Sequence, residues 1–345
     1  MLFRSLLAFN STIFAQKTLS SGELKKVQLS CVAYYNIENL FDTIDGPNND
    51  AEFLPNGANK WGSMKYNAKL NRISYAISQI GLDYSPVGAA IIGLSEVENR
   101  SVLEDLVKEP TIANRSYRIV HYDSPDRRGV DVAMLYNPRI FTLSNSKSYR
   151  LRTDDSTFLT RDQLLVTGYL MGEKIHVIVN HWPSRLGGEL RSRPKRNAAA
   201  ALTRSIVDSL FTKDAKARII VMGDLNDDPS DESCAEVLKA KRNAKDVKPK
   251  ELFNVFWNTF DKGFGSLSYN DRWNMFDQII LSHELISGDK SKLRFWKGEI
   301  FNRNFLLHQE GNMKGIPKRT HSRGVWLNGF SDHLPTLVYL VKPLK

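Results

Sequence analysis

Ile219-Ile220-Val221-Met222-Gly223-Asp224-Leu225-Asn226-Asp227-Asp228-Pro229 is a short apolar run that stops on a cluster of carboxylates and amides. Ile219–Met222, rich in β-branched residues, reads as a buried strand. The Gly-Asp-Leu-Asn at its end is chemically useful only if other strands deliver polar groups to the same place. They do. Val32–Tyr35 stops on Asn36-Ile37-Glu38-Asn39, and Ile91–Ser95 on Glu96-Val97-Glu98-Asn99. Ile175–Val179 stops on Asn180-His181-Trp182-Pro183-Ser184-Arg185. Asp277 opens Gln278–Leu281, and Ser331-Asp332-His333 precedes the final run Thr336–Val341.

Further apolar runs at Val27–Ile37, Ala89–Leu94, Val130–Tyr136, Leu164–Leu170 and Phe276–Leu281 suit strands. Leu70, Ile73, Ile77 and Ile80 keep one face across a helix from about Lys65; Ala199, Leu202, Ile206 and Leu210 do so across Arg191–Phe211. Glu232–Lys241 is a shorter helix candidate. Asp42–Gly62, Asn243–Lys250 and Gly311–Arg323 read as loops. Strands that are sometimes adjacent and sometimes separated by helices predict an α/β chain of two packed mixed sheets flanked by helices. We expect one domain over residues 27–345.

Composition narrows the class. The 345 residues carry a formal net charge of +10, with 41% hydrophobic and 25% charged residues, enough for a large core and too apolar for disorder. Cys31 and Cys234 form no Cys-x-x-Cys pair, which argues against a thiolate zinc site. No apolar stretch reaches the roughly 18 residues of a membrane span, so no stable membrane insertion is expected. Met1–Gln16 has the single Arg4 ahead of the mostly apolar Ser5–Ala15, which resembles a secretory signal peptide. Asn10, Ser11 and Thr12 interrupt it. A cleaved leader would make the protein periplasmic or secreted; an uncleaved one leaves it cytoplasmic.

Taken singly, each polar ending is commonplace. Asp and Asn bond their own backbone in turns, a glutamate after a strand caps a helix, and a lone histidine is usually structural. Six such endings on separate apolar runs are harder to explain by turns. Together they offer a hard cation its oxygen ligands, a base for water, and donors for phosphate oxygens.

In this order the motifs resemble the endonuclease/exonuclease/phosphatase superfamily, from about Val32 to Val341. Gly-Asp-Leu-Asn with the late Ser-Asp-His-Leu-Pro is the most specific pair. Tyr35–Asp42, Asp126-Arg127-Arg128-Gly129-Val130-Asp131 and Asn180–Arg185 are similar to a bacterial, often secreted branch of it. The resemblance implies a four-layer αββα sandwich and dependence on Mg²⁺ or Mn²⁺. It implies Glu96 as the metal ligand, with Asn36 completing the metal and phosphate site, Glu38 as a further acid and Asp332 as a second metal-side ligand. Asp224 would position or deprotonate the attacking water or assist the leaving group, and Asn226 would hold a phosphate oxygen. His333 would be the general base or an acid–base partner oriented by Asp277, and His181 the nuclease-type histidine serving the phosphorane or leaving group. Abasic-site endonucleases lack that histidine.

Arg128, Asp131 and Arg185 belong to the branch motifs without an assigned role. The two arginines suit phosphate contacts, or Asp131 pairs with one of them structurally. Basic stretches at Arg185–Arg196, Lys239–Lys250 and Lys314–Arg323, with Trp182, Trp257, Trp273, Trp296 and Trp326 dispersed nearby, read either as a nucleic-acid groove or as solvated faces. The expected activity is phosphodiester hydrolysis by a monomer, with DNA or RNA cut without strong sequence preference. A phosphatase or a sphingomyelinase-like enzyme is the alternative, and an inactive binding module a remoter one.

Overall fold

The strands alternate their side chains between two faces, and this alternation sorts the core into layers. Residues 32 and 34, 177 and 179, 220 and 222, and 279 and 281 pack together in one apolar cluster. Their neighbours divide between two other clusters: Ala33, Tyr35 and Leu94 with Leu70, Ile73 and Ile77, and Ile178, Val221 and Ile280 with Ala199, Ile206 and Leu210. The first cluster is therefore the interface between two sheets, and the others lie under helices. The computed structural model describes residues 14–15, 26–269, 272–322 and 324–344.

One sheet orders its strands as Arg294–Ile300, Thr336–Pro343, Val27–Leu40, Ala89–Val97, Asp131–Tyr136 and Arg118–His121. Phe14–Ala15 adds a short antiparallel pairing to its edge. The other runs Ala240–Lys241, Leu252–Asn254, Asp277–Ser282, Ile219–Asp224, Glu173–His181, Gln163–Leu170 and Phe141–Tyr149. At the centre of each sheet is a parallel pair, 27–40 with 89–97 and 173–181 with 219–224. A parallel pair needs a long crossover. Here the connections contain the helices Ser63–Gln79 and Glu189–Lys213, the two that periodicity predicts. The αββα sandwich expected from the resemblance is thus the observed fold.

Several local expectations need correction. Glu232–Lys241 is not a helix: a single π-turn at Ser233–Val237 gives way to the Ala240–Lys241 strand. A helix that was not anticipated spans Arg100–Lys108, and the Asn99 side chain caps it by accepting from Val102 N at 3.1 Å. The Asp42–Gly62 loop folds inward, burying Phe53 and Trp61 against Phe41 and Val130. The secretory-signal reading of Met1–Gln16 lies outside the described residues, apart from residues 14–15. No helix among the described residues is long and apolar enough to cross a membrane.

The sheets approach closely at Gly93. A Cβ there would stand 2.6 Å from Met222 Sδ, 3.1 Å from Tyr34 and 3.2 Å from Val179, all side chains of the inter-sheet layer. We predict that Gly93→Val destabilises the fold by about 1–3 kcal/mol through overpacking. Urea denaturation checks this, and an unchanged midpoint would mean that the layer has slack.

Candidate active site

The same alternation that builds the inter-sheet core places the polar endings. Continuing 220 and 222 leads to Asp224; continuing 177 and 179 leads to His181; stepping back from 281 and 279 leads to Asp277. In the ladder Asp277 pairs with Asp224, and Asp224 with His181, so the three stand abreast on neighbouring strands. From the opposite sheet, 32 and 34 lead to Asn36. Its Nδ2 donates across the gap to Asp224 Oδ2 at 3.0 Å. That same oxygen lies 3.6 Å from His181 Nε2 and 3.9 Å from His333 Nε2.

His333 is delivered by a loop that Ser331 fastens. Ser331 Oγ donates to the Asn36 carbonyl at 2.7 Å and accepts from His333 N at 3.0 Å. The ring places Nδ1 2.6 Å from Asp277 Oδ2, which also accepts from Ser266 Oγ at 2.5 Å. Burial alone would push the His333 imidazole down. The carboxylates of Asp277 and Asp224 outweigh it and hold the imidazole well above its usual range. Burial raises Asp224 to about 6, opposed by His333 and reinforced by Asp277. His181 is pushed well below the usual range by burial and by Arg161, and so is neutral. Asp224, Asp277 and His333 lie close enough to cage a cation. Asp277 is fully buried and its Oδ2 is spent on His333 and Ser266, so we read the group as a proton-transfer line.

The carboxylate pole needs a backbone irregularity. Alternation from Ile91 and Gly93 puts Ser95 in the inter-sheet layer, where its Oγ accepts from Tyr34 OH at 2.5 Å. Glu96 would then face away. A register shift between Ser95 and Val97, with Glu96 at φ 62°, turns it back. Glu96 Oε2 accepts from Asn39 N at 3.0 Å, Oε1 lies 4.0 Å from His181 Nε2, and Arg128 contacts both oxygens at 3.2–3.3 Å. Burial raises the Glu96 carboxyl, but Arg128, with the His333 imidazolium, outweighs burial and holds it well below the usual carboxylate range. A second irregularity between Asn36 and Leu40 sets Glu38 and Asn39 at φ 49° and 54°. Glu38 binds Arg319 Nε at 3.0 Å and Thr320 N at 2.6 Å, and burial with Asp332 nearby pushes it up to about 7. Asp332 pairs with Arg319 at 3.0 Å and lies 3.9 Å from His333 Nε2. The carboxylates and amide oxygens that dominate this pole, with Glu96 anionic and no thiolate, fit a hard divalent cation rather than a soft one.

Comparison with known proteins gives the family and the fold. The model of the endonuclease/exonuclease/phosphatase family matches residues 31–342. The chain belongs to that family. Members of this endonuclease/exonuclease/phosphatase family are hydrolases acting on phosphate esters, and the superfamily uses divalent metals. Among solved structures, truncated Caenorhabditis elegans TDP2 aligns over 90% of this chain and 97% of its own at 16% identity, TM-score 0.51. A family protein from Bacteroides thetaiotaomicron aligns over 93% and 100% at 14%, TM-score 0.55. The human Nocturnin catalytic domain with bound sulfate aligns over 91% and 97% at 17%, TM-score 0.52. No match is found among curated proteins.

The structure brings Asn36, His181, Asp277 and His333 around Asp224, Glu96 beside His181, and Glu38 and Asp332 together on Arg319. Asn226, at φ 51°, gives its amide to the Trp182 carbonyl at 2.9 Å and its backbone N–H to Asp224 Oδ1 at 3.0 Å. Two expectations are revised. Arg185 is held by acids of the neighbouring loop: its guanidinium is taken by Asp227 at 3.1 Å, Asp231 at 2.7 Å and the Asn226 carbonyl at 2.9 Å. Asp131 pairs with neither arginine; it binds His121 Nε2 at 2.9 Å. Trp182 is buried under the long helix.

Sequence reading passed over three residues. Arg161 grips the His181 and Trp182 carbonyls at 3.3 and 2.7 Å and Asp126 at 3.1 Å. Arg319 lay unremarked in a basic loop. Lys69 is fully buried, donating to Thr320 Oγ1 at 2.5 Å and the Phe330 carbonyl at 2.7 Å. Its place one turn before Ile73, on the apolar stripe, was the available signal.

These contacts can be tested by substitution and by titration. Arg185→Ala should lower stability by about 1–3 kcal/mol, because it strands buried carboxylates, and leave the Michaelis constant unchanged; the reverse pattern would restore the phosphate role. His333 titrates above an unfolded histidine, so its pairing stabilises the fold fully below about pH 6.5 and that gain is lost as pH rises through the folded value. In the metal-free protein, Asp277→Asn should move the His333 titration downward by NMR, and an unmoved midpoint would remove Asp277 as the cause.

Proposed function

We propose that the protein is a divalent-metal-dependent phosphodiesterase that hydrolyses nucleic acid without strong sequence preference. The observation that carries this reading is the meeting of His181 and His333 on one carboxylate oxygen of Asp224, beside the anionic Glu96. A cation held by Glu96, with Asn36 and Glu38 nearby, would supply neutralisation of the non-bridging phosphate oxygens. Asp224, steadied by Asn36, takes the proton of the attacking water. His333, with Nδ1 committed to Asp277, presents Nε2 as its acid–base partner. The neutral His181 offers one N–H donor to the phosphorane or the leaving oxygen. Asn226 lies beside them through its bond to Asp224.

The net charge of +10 favours a polyanionic substrate. The structure of Danio rerio TDP2 complexed with single-strand DNA product is similar in fold over 90% of the chain, at 13% identity and TM-score 0.52. Both point to DNA or RNA ahead of a small or lipid phosphate ester.

The test is an activity panel in Mg²⁺ and Mn²⁺ against plasmid DNA, RNA, phosphodiester and phosphomonoester substrates at low and physiological salt. Diester cleavage that is salt-sensitive on polynucleotides and absent after chelation is expected. Glu96→Ala should abolish it, and His333→Ala should lower kcat by about 10²–10⁴-fold with little change in KM. Monoester preference with salt-insensitive rates would overturn the nuclease reading, and full activity after exhaustive chelation would overturn the metal requirement.

A further inference from the structure

A cavity of about 190 Å³ adjoins the carboxylate pole, with Glu38 and Asn39 in its wall. Its lining divides by chemistry. On the cationic part are Arg128 and Arg319, whose side chains remain 47% and 39% exposed after binding their acids. A guanidinium has five N–H donors, so each keeps some for an incoming oxyanion.

The other part is neutral to acidic and flat. Phe53, 9% exposed and parallel to Phe41 at 4.3 Å and 6°, gives this wall an aromatic surface. His321 packs against Trp61 and Trp326, and burial, with Lys65, Lys69 and Arg319 nearby, pushes its imidazole down to about 4. It is therefore neutral, and its buried Nε2 has no hydrogen-bond partner. Asn59 adds an amide. Glu52 is exposed and has no ion pair among the described residues.

An oxyanion suits the arginines but not the Glu52 side. A carboxylate, an amide and an unpaired imidazole nitrogen around an aromatic wall suit a planar ring that carries both donors and acceptors on its edge. Base–aromatic stacking is the usual sequence-tolerant contact to single-stranded nucleic acid. A polyphosphate would be served by cations throughout and gains nothing from an aromatic wall or a free carboxylate, and a choline headgroup, which would use both, makes no use of the Asn59 amide or the unpaired imidazole nitrogen.

From this division we infer that the cavity is a nucleotide subsite: Arg128 and Arg319 meet the sugar–phosphate, and Phe53, Asn59, His321 and Glu52 hold the base. The inference rests on the phosphodiesterase reading for the identity of the polymer, but it can fail separately from it.

The experiment is calorimetric titration of the full chain in Mg²⁺ with thymidine 5′-monophosphate and with deoxyribose 5-phosphate, which lacks the base. The nucleotide should bind about tenfold more tightly, the scale of one base stack. Asn59→Ala, His321→Ala and the milder His321→Gln should each shrink that advantage by about threefold or more, leaving deoxyribose 5-phosphate affinity unchanged. Thermal unfolding of each variant identifies any that misfold, and Asn59→Ala, at a half-buried position, keeps the test available if the His321 variants do. Equal binding of the two ligands by the unaltered chain, or equal weakening of both by the variants, overturns the subsite. Hydrolysis of thymidine 5′-(p-nitrophenyl phosphate), measured in parallel, separates the two ideas. Base discrimination without hydrolysis sinks the enzymatic reading and keeps the subsite; hydrolysis without discrimination does the opposite.

Discussion

The hydrogen bond from Asn36 Nδ2 to Asp224 Oδ2, 3.0 Å long, ties the polar end of one sheet to that of the other. Asp224 is almost fully buried, and a buried carboxylate without partners costs several kcal/mol. Its partners come from different places: Asn36 from the facing sheet, His333 from the loop before the last strand, His181 from the neighbouring strand. Each is in reach only if the two sheets hold one register, because a slip of one residue would turn every polar ending toward a helix layer. The apolar layer between the sheets therefore fixes the site as well as the fold. Gly93 and Tyr34 serve both, since the first lets the sheets approach and the second fastens Ser95 just before Glu96.

Much of this was legible because strand periodicity is blind to polarity. The alternation that predicts Val177, Val179, Ile220 and Met222 inside also predicts His181 and Asp224 inside, once the apolar runs are extended through their polar ends. What alternation cannot show is where it breaks. Glu96, Glu38, Asn39 and Asn226 all have positive φ, as non-glycine residues seldom do. The register shifts beside Glu96 and Glu38 re-aim side chains that a regular strand would send elsewhere. The Phe141–Tyr149 strand was passed over because its polar, largely exposed residues carry no period. The Glu232–Lys241 helix failed because the chain returns at once to the sheet edge.

Charge was the least readable quantity. Arg185–Arg196 looks like a basic surface stretch. Yet Arg185 and Arg196 close on Asp227, the acid that comes directly after Gly-Asp-Leu-Asn, and Arg196 is wholly buried with its Nε 2.6 Å from that carboxylate. These arginines brace the loop that carries Asp224 and Asn226. A run of basic residues in the sequence suggests a nucleic-acid surface, but these arginines are neutralised by Asp227 and Asp231. Lys69 errs the other way: one buried ammonium under the site, at about 8 because burial disfavours its charge, holds the segment that presents Arg319 and Thr320 to Glu38.

The carboxylates and their cations also explain how such a concentration of buried charge folds. Glu96 is matched by Arg128, Glu38 and Asp332 by Arg319, and Asp277 by His333. The pairs of Glu96, Glu38 and Asp277 each join a strand to a loop, and Arg319–Asp332 closes the 319–333 loop on itself. A pair of this kind contributes little net stability once desolvation is counted, but removing one partner is costly. The loops at 126–129 and 319–333 are therefore held by the acids of the site, and the acids by the loops. Arg128 and Arg319 stand where they meet both those acids and the adjoining cavity, so any anion that draws on their free N–H groups acts on the loops and on the carboxylate pole together.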